Sequence, residues 1–192
     1  LIVVALVSIL PIAYAINLSL HETKYLNIGE FVGLDNFARI FTEPEGLAQI
    51  ARSFVYVIVS LFITVPLSLA LAHLLNREIA GRRFFRVLIL LPWVISQTVA
   101  ALTWKWLVNA DYGPLGLGDV LGNRVDLLAN PITAMATLIV VNVWISYPLA
   151  TILSLASLQT IPTELTEAAE MDGAGPFRRF LRVTLPLMKP TL

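Results

Sequence analysis

The residues with the clearest capacity for chemistry lie in one polar segment, EAAEMDGAGPFRRFLRVTLP, at residues 167–186. Glu167 is followed by the small residues Ala168 and Ala169, and Gly173 comes four residues after them. Small side chains let another backbone approach closely. The segment lies between two apolar stretches, where a transmembrane chain has little structural need for ordered polar sequence. We therefore predict that this segment docks onto a soluble partner.

The sequence around this segment predicts two short helices that meet at a glycine corner. Pro162 suits a first helical turn, and Glu164 and Glu167 follow near the positive end of the helix dipole, where carboxylates are favoured. Gly173 accepts the backbone angles that a chain reversal needs, and Pro176 can begin the second helix. One face of the second helix carries four residues at i, i+3, i+4 and i+7 spacing: Phe177, Phe180, Leu181 and Thr184.

A second group of polar residues lies inside apolar stretches, at Gln97 and Asn142. An amide in hydrocarbon is costly without a hydrogen-bond partner, so these side chains should face other helices or a water-filled path. Trp144 and Tyr147 follow Asn142 closely, and aromatic faces suit sugar rings. These four residues are candidates for a substrate path. The alternative is that the amides bond between helices and the aromatic rings pack.

Enzyme motifs are missing from the sequence. His21-Glu22 begins like a zinc-protease helix, but no second histidine follows at the required spacing. The glycine-containing stretch at 118–122 lacks the Gly-Lys-Ser/Thr ending of a phosphate-binding loop. The absence of cysteine excludes disulfides and cysteine-ligated metals. We therefore expect no catalytic residue, metal or cofactor in this chain, and no nucleic-acid partner.

Stretches long enough to cross a membrane surround these residues. The 192 residues are 57% hydrophobic and 14% charged, against about 25% charged in soluble domains, and a helix needs roughly 20 apolar residues to cross the hydrocarbon core. The predicted fold class is an all-α, polytopic transmembrane helical bundle. We expect four complete or near-complete spans, at about 1–20, 53–76, 85–107 and 132–158.

Other features of these stretches suggest a bent bundle that continues beyond the fragment. Each span holds one internal proline, which can kink a helix: Pro11, Pro66, Pro92 and Pro148. We expect residues 159–183 to form a polar loop and residues 184–192 to begin another span. The chain starts inside an apolar run without an initiator methionine, so we expect more spans in the full protein.

Basic residues are unevenly divided between the two sides of the predicted membrane. Eight fall on one side: Arg77, Arg82, Arg83, Arg86, Arg178, Arg179, Arg182 and Lys189. Five fall on the other: Lys24, Arg39, Arg52, Lys105 and Arg124. Cytoplasmic loops carry the excess of arginine and lysine. We therefore expect the loop at 77–86, the segment at 167–186 and both ends of the chain to be cytoplasmic.

One loop on the opposite side contains VGLDNF at 32–37, which predicts a turn feeding a short helix. Asp35 or Asn36 is a candidate N-cap for that helix, and Phe37, Ile40 and Phe41 fall on one of its faces. Two interpretations stay open. The helix either lies at the membrane interface or forms a docking surface for an external partner.

The spacing of the polar segment resembles the EAA loop of ABC importer permeases. The residues that carry this resemblance are Glu167, Ala168, Ala169, Gly173, Val183, Leu185 and Pro186. The family pattern favours isoleucine where Val183 stands, which is a conservative departure. VGLDNF at 32–37, LLPW at 90–93 and SLQTIP at 157–162 are similar to the sugar-type branch, the permeases of maltose and glycerol-3-phosphate type.

The resemblance implies a type I ABC importer permease fold, with residues 1–192 as an incomplete transmembrane permease domain and 159–183 as its cytoplasmic coupling loop. It assigns ATPase docking to Glu167, Ala168, Ala169 and Gly173. It implies a bacterial or archaeal cytoplasmic membrane and import of a sugar or related polyol. The implied partners are a dimer of cytoplasmic ATP-binding subunits, a second homologous permease, an extracytoplasmic solute-binding protein and membrane lipid.

Two other functions stay open on the sequence. A secondary transporter or channel subunit would need a membrane-embedded charge or filter, and the uncharged cores of the four stretches hold no Asp, Glu, Lys or Arg. This absence disfavours a proton-coupled carrier. An ABC importer for a solute other than sugar would share the coupling-loop motif.

Overall fold

A computed structural model of the chain describes residues 2–24, 27–78, 80–115 and 126–188. The chain divides into two compact units, Leu1–Val55 and Tyr56–Leu192. Several features used above lie outside the described residues: the side chains of Lys24, Arg124 and Lys189, the stretch at 118–122, and residues 189–192 of the predicted further span.

In the first unit an apolar helix leads into a small hairpin and a short amphipathic helix. The elements are α1 (Ile2–Ser19), β1 (His21–Lys24), β2 (Asn27–Phe31), α2 (Asp35–Thr42) and the start of α3 (Pro44–Asn76). The two strands pair antiparallel, with His21 opposite Phe31. The sequence analysis missed this hairpin, because HETK contains no apolar residue that could show a strand period. His21 therefore lies in a strand and not in a zinc-protease helix.

Asn36 joins the hairpin to α2 and does not cap that helix. Its Nδ2 donates to the backbone carbonyl of Ser19 at 2.9 Å and to that of His21 at 3.0 Å. The helix begins at Asp35 after Leu34, without a side-chain cap hydrogen bond. The prediction of Asp35 or Asn36 as N-cap is wrong, because the asparagine amide is used between elements.

The apolar face predicted for α2 is present. Phe37, Ile40 and Phe41 are all exposed. An exposed apolar face on a short helix suits a membrane interface and also suits a docking surface. Both interpretations of this helix therefore remain.

The second unit is built around long helices. Its elements are the rest of α3, then α4 (Arg82–Val94), α5 (Gln97–Leu107), α6 (Pro131–Gln159), α7 (Thr163–Met171), α8 (Pro176–Arg179), a π-helical turn (Phe180–Thr184) and α9 (Leu185–Met188). The 33-residue α3 and the 29-residue α6 are each long and apolar enough to cross a membrane. They contain the stretches predicted at 53–76 and 132–158.

The stretch predicted as a span at 85–107 is broken and not continuous. Between α4 and α5 the chain bends by 93°, and the connecting residues Ile95 and Ser96 have extended backbones. The Ser96 hydroxyl accepts a hydrogen bond from the Val99 N–H at 3.3 Å, which caps α5. The proline expected to kink this span, Pro92, stays inside α4. The bend therefore comes from a helix end and a new cap.

The described residues bear on part of the four predicted spans. Among the described residues two helices have membrane-spanning length, or three spans if the bent α4–α5 pair counts as one. The stretch predicted at 1–20 contains the 18-residue apolar helix α1 (Ile2–Ser19).

The core of the second unit is formed by α3, α6 and α9. Its buried apolar residues are Leu69, Ala72, Leu75, Leu155, Leu158 and Met188. The long helices also bury six hydroxyl-bearing residues: Ser60, Thr64, Ser68, Thr151, Ser154 and Ser157. The Ser68 hydroxyl donates to the Val65 carbonyl at 2.9 Å, and the Thr151 hydroxyl donates to the Tyr147 carbonyl at 2.7 Å. The hydroxyls of Ser68 and Thr151 are therefore satisfied within their own helices, so these two small side chains can lie at a close helix contact.

At its C-terminal end, α7 finishes in a Schellman motif centred on Gly173. The Gly173 N–H donates to the Glu170 carbonyl at 3.0 Å, and the Ala174 N–H donates to the Ala169 carbonyl at 2.9 Å. These two bonds define the motif. Gly173 has a φ of +76°, which side chains with a Cβ rarely adopt. The predicted glycine corner is confirmed at this position.

Two prolines bound the short helices on either side of the corner. The helix α8 begins at Pro176, as predicted, with Gly175 as its N-cap. Pro162, which we expected in a first helical turn, is instead the N-cap residue of α7. Its extended backbone means that the helix begins one residue later, at Thr163.

Substituting leucine for Ala72 should destabilise the second unit. Ala72 is fully buried in the core, and extra methylenes in a packed interior cost about 1–3 kcal/mol. Ala70→Leu is the matched control, because Ala70 is exposed on the same helix. Thermal unfolding of the full-length protein in detergent should show a lower midpoint for A72L only. Equal midpoints for the two variants would contradict the assignment of this core.

Serine at Gly173 should loosen the corner, whereas serine at Gly175 should not. A residue with a Cβ in the left-handed region costs about 1–2 kcal/mol, and the empty space around both glycines removes any steric difference. Gly175 has a φ of −61° at an N-cap position, where serine is favoured. Hydrogen exchange at the Ala174 amide should be roughly 5- to 30-fold faster in G173S. Similar exchange rates in both variants would contradict this account.

Candidate functional site

The four residues predicted to dock a partner lie on α7 and its corner. Glu167, Ala168 and Gly173 are exposed, and Ala169 is partly buried. They therefore present a short accessible surface with one carboxylate and two small side chains. This arrangement can bind a protein surface.

Two large apolar side chains extend this surface, and the sequence analysis did not assign them to it. Met171 is 89% exposed and Phe177 is 75% exposed. Exposed apolar residues in a polar environment indicate an interaction site. Phe177 was grouped with Phe180 and Thr184 on one helix face, but Phe180 is partly buried and Thr184 is buried.

The π-helical turn explains why that predicted face is divided. The Leu185 N–H donates to the Phe180 carbonyl, five residues back, where an α-helix would use the carbonyl four residues back. This change alters the register within the second helix. A helical period of 3.6 cannot predict such a turn, and the sequence carries no clear signal for it.

An ion pair holds the two short helices together. Arg179 Nη1 on α8 lies 2.7 Å from Glu170 Oε2 on α7. The arginine side chain is 27% exposed and the glutamate side chain is 70% exposed, so solvent screens the pair and its contribution to stability is small. The pair bridges α7 and α8 across the glycine corner.

The polar segment at 167–186, called the docking segment below, is also connected to the core of the second unit. The rings of Phe180 and His73 meet edge to face with centroids 5.3 Å apart, and His73 lies on α3. Met188, two residues after the segment, is fully buried with Leu75 and Leu158. Phe180 and Met188 therefore connect the chain that follows α7 to side chains packed on α3 and α6.

A cavity of about 440 Å³ lies among α3, α4, α5 and α6. The polar residues that line it are Thr64, Ser68, Gln97, Ser146 and Ser154, together with Trp93. The Ser146 hydroxyl donates to Asn142 Oδ1 at 3.5 Å, which links Asn142 to this side of α6. Hydroxyl and amide groups around an indole ring can bind a polyhydroxylated solute.

Three of the four candidate path residues line two different cavities, and Asn142 lines neither of these two. Gln97 lines the larger one, whereas Trp144 and Tyr147 line a separate apolar cavity of about 220 Å³ with Ile63 and Leu67. The Trp144 ring also meets the ring of Trp104 edge to face at 5.7 Å. Thr64, Ser68 and Ser154 of the larger cavity were not predicted from the sequence, although the four-residue spacing of Thr64 and Ser68 is visible there.

A protein family and several proteins of known sequence are similar to this chain. The family described as "Binding-protein-dependent transport system inner membrane component" matches residues 45–192. The chain is 38% identical over 195 residues to the trehalose/maltose transport system permease protein MalF of Thermococcus litoralis, covering 99% of this chain and 65% of that protein. It is 37% identical over 164 residues to the maltose/maltodextrin transport system permease protein MalF of Escherichia coli, covering 81% of this chain and 32% of that protein.

Two solved structures share the fold. A bacterial ABC transporter involved in the import of the acidic polysaccharide alginate matches with a TM-score of 0.75 and 24% identity, over 99% of this chain and 65% of that chain. A bacterial alginate ABC transporter in complex with an alginate pentasaccharide-bound periplasmic protein matches with a TM-score of 0.70 and 26% identity, over 83% and 57%.

The chain therefore spans just under two thirds of the Thermococcus relative and about one third of the Escherichia coli relative. Its predominantly helical fold is that of ABC importer permeases, and its apolar helices belong to a membrane protein. The chain belongs to the family of binding-protein-dependent transport system inner membrane components.

Proposed function

We propose that this chain forms part of a permease subunit in an ATP-driven importer of a sugar or related polyol. The observation that carries the proposal is the docking segment, an exposed helix joined to the core of the membrane helices by buried residues. The relatives named for trehalose, maltose and alginate transport support a carbohydrate as cargo.

In this proposal α7 docks onto a separate cytoplasmic ATP-binding subunit, which works as a dimer and hydrolyses ATP. Glu167 supplies a charge at the contact, and Ala168 and Ala169 let the partner backbone come close. Met171 and Phe177 supply apolar area, since their exposure favours burial against another protein. The excess of arginine at 77–86 and 178–182 supports a cytoplasmic position for this face.

Closure of the ATP-binding subunits would move α7, and the core contacts would carry this movement to the spans. Phe180 transmits it to His73 on α3, and Met188 transmits it to Leu75 and Leu158. The Arg179–Glu170 pair keeps α7 and α8 together during the movement. Access to the cavity would then alternate between the two sides of the membrane.

The translocation path in this proposal includes the larger cavity. Gln97 and the Asn142–Ser146 pair offer hydrogen bonds to sugar hydroxyls, and Trp93 offers an aromatic face. In this proposal Trp144 and Tyr147, which line the separate cavity, support the wall of the path from behind. An external solute-binding protein delivers the sugar, and a second homologous permease completes the pore.

Reversing the charge of Glu167 should uncouple transport. In membranes that hold the full-length protein and its partner subunits, Glu167→Lys should lower sugar uptake and the ATPase activity stimulated by binding protein at least about tenfold, since losing one side of an interfacial charge contact costs about 2–5 kcal/mol. Glu164→Lys is the matched control, because it makes the same charge change one turn earlier on α7. Normal sugar uptake by E167K, with the variant present in the membrane at the wild-type level, would contradict the assignment of Glu167 to docking.

Removing the amide of Gln97 should weaken transport without uncoupling it. Gln97→Leu should lower uptake at low sugar concentration about fivefold, the effect of one lost hydrogen bond, while binding-protein-stimulated ATPase activity persists. Thr98→Leu is the control, since Thr98 is the neighbouring exposed residue and does not line the cavity. Unchanged uptake by Q97L would remove this side chain from the path.

A further inference from the structure

A crevice between α4 and α6, separate from the cavity at Gln97, combines a polar end with an apolar wall. Its volume is about 250 Å³. The lining residues that matter here are Arg86 and Gln159 at the polar end, and Leu75, Ile89, Ile152 and Ala156 along the wall. The polar groups lie at the end of the helix pair where α4 begins and α6 terminates.

Positive charge accumulates at the start of α4 without a counter-charge on the helix. Arg82, Arg83 and Arg86 lie in its first five residues, its first turn holds no acidic residue, and its N-cap residue Gly81 makes no side-chain cap bond. A helix N-terminus has unsatisfied N–H groups and a positive partial charge. Three guanidinium groups add to that charge, so an anion at this end would relieve the repulsion.

Two of these arginines also have an unused hydrogen-bond donor. The Nε atoms of Arg82 and Arg86 are buried and lack a hydrogen-bond partner among the described residues. A buried donor without an acceptor is unfavourable. Residues four apart share one face of a helix, so the two donors belong to the same face. Arg86 lines the crevice, and Arg82 lies one turn before it on the same face. Arg83 differs, because it is exposed and lies on another face of the helix.

We propose that this crevice binds an anionic phospholipid, with its headgroup phosphate at Arg82 and Arg86 and an acyl chain along the apolar wall. Guanidinium groups match phosphate oxygens in geometry and charge. Basic pockets between membrane helices bind acidic headgroups, and the wall at Ile89 and Ile152 suits hydrocarbon. The lipid would neutralise the start of α4 and tie it to the end of α6, next to the docking segment.

Lipid binding to the purified full-length protein tests this proposal. Phosphatidylglycerol and phosphatidylcholine are titrated in detergent, and bound lipid is counted by native mass spectrometry. Arg86→Gln should weaken phosphatidylglycerol binding about fivefold. Arg83→Gln removes the same charge from the same helix and should leave that binding nearly unchanged. Phosphatidylcholine should bind wild type and both variants equally weakly.

A second variant separates a lipid from other occupants. Ala156→Phe places a larger side chain in the apolar part of the crevice and leaves every charge unchanged. It should also weaken phosphatidylglycerol binding, and it replaces R86Q in the test if that variant does not fold. Displacement of the lipid by excess inorganic phosphate would overturn the proposal in favour of a soluble anion. Equal weakening of phosphatidylglycerol binding by R83Q and R86Q would also overturn the proposal, because the lipid would then be held by general surface charge. Unchanged lipid binding in R86Q, with loss of a co-purifying ATP-binding subunit, would reassign the arginines to a protein contact.

Discussion

The burial of Met188 against α3 and α6 is the contact on which the proposed mechanism depends. Met188 is completely inaccessible to solvent and lies among Leu75 and Leu158. It closes the segment that begins where α6 ends, so the docking helices are held to the core at both ends. The pull of a partner on α7 would otherwise bend a loose loop. In the proposed mechanism, close packing of Met188 carries the movement of α7 to α3 and α6.

The same core needs helices that approach closely, and small hydroxyl residues make this possible. Ser68 and Thr151 are buried, and each donates a hydrogen bond to a carbonyl of its own helix. This satisfies the polar atom and leaves a small side chain at the contact. Away from this contact, the broken α4–α5 pair leaves room for a cavity. Ser96 caps the new helix, and Gln97 is then the first residue of α5 and lines that cavity.

Sequence reasoning succeeded where a local physical rule acts alone. Unbroken apolar runs indicated α3 and α6, and the glycine at 173 indicated a left-handed corner. It failed where distant groups compete for the same atom or the same helix face. Asn36 was expected to cap its own helix, yet its amide bonds two carbonyls of the preceding turn and hairpin. Pro92 was expected to bend its span, yet the bend follows it, at Ile95 and Ser96.

By itself the sequence determined that lipid is the main solvent of this chain, that a polar segment interrupts the spans, and that this segment turns at Gly173. These properties depend on composition and on backbone angles, which neighbours along the chain control. Only the tertiary structure decided which side chains share a cavity. It separated Gln97 from Trp144 and Tyr147, buried Thr184 and left Phe177 exposed. The physical reason is that side-chain directions after a break in a helix depend on the backbone geometry of that break. Here the breaks are the 93° bend before α5 and the π-helical turn at Phe180–Thr184.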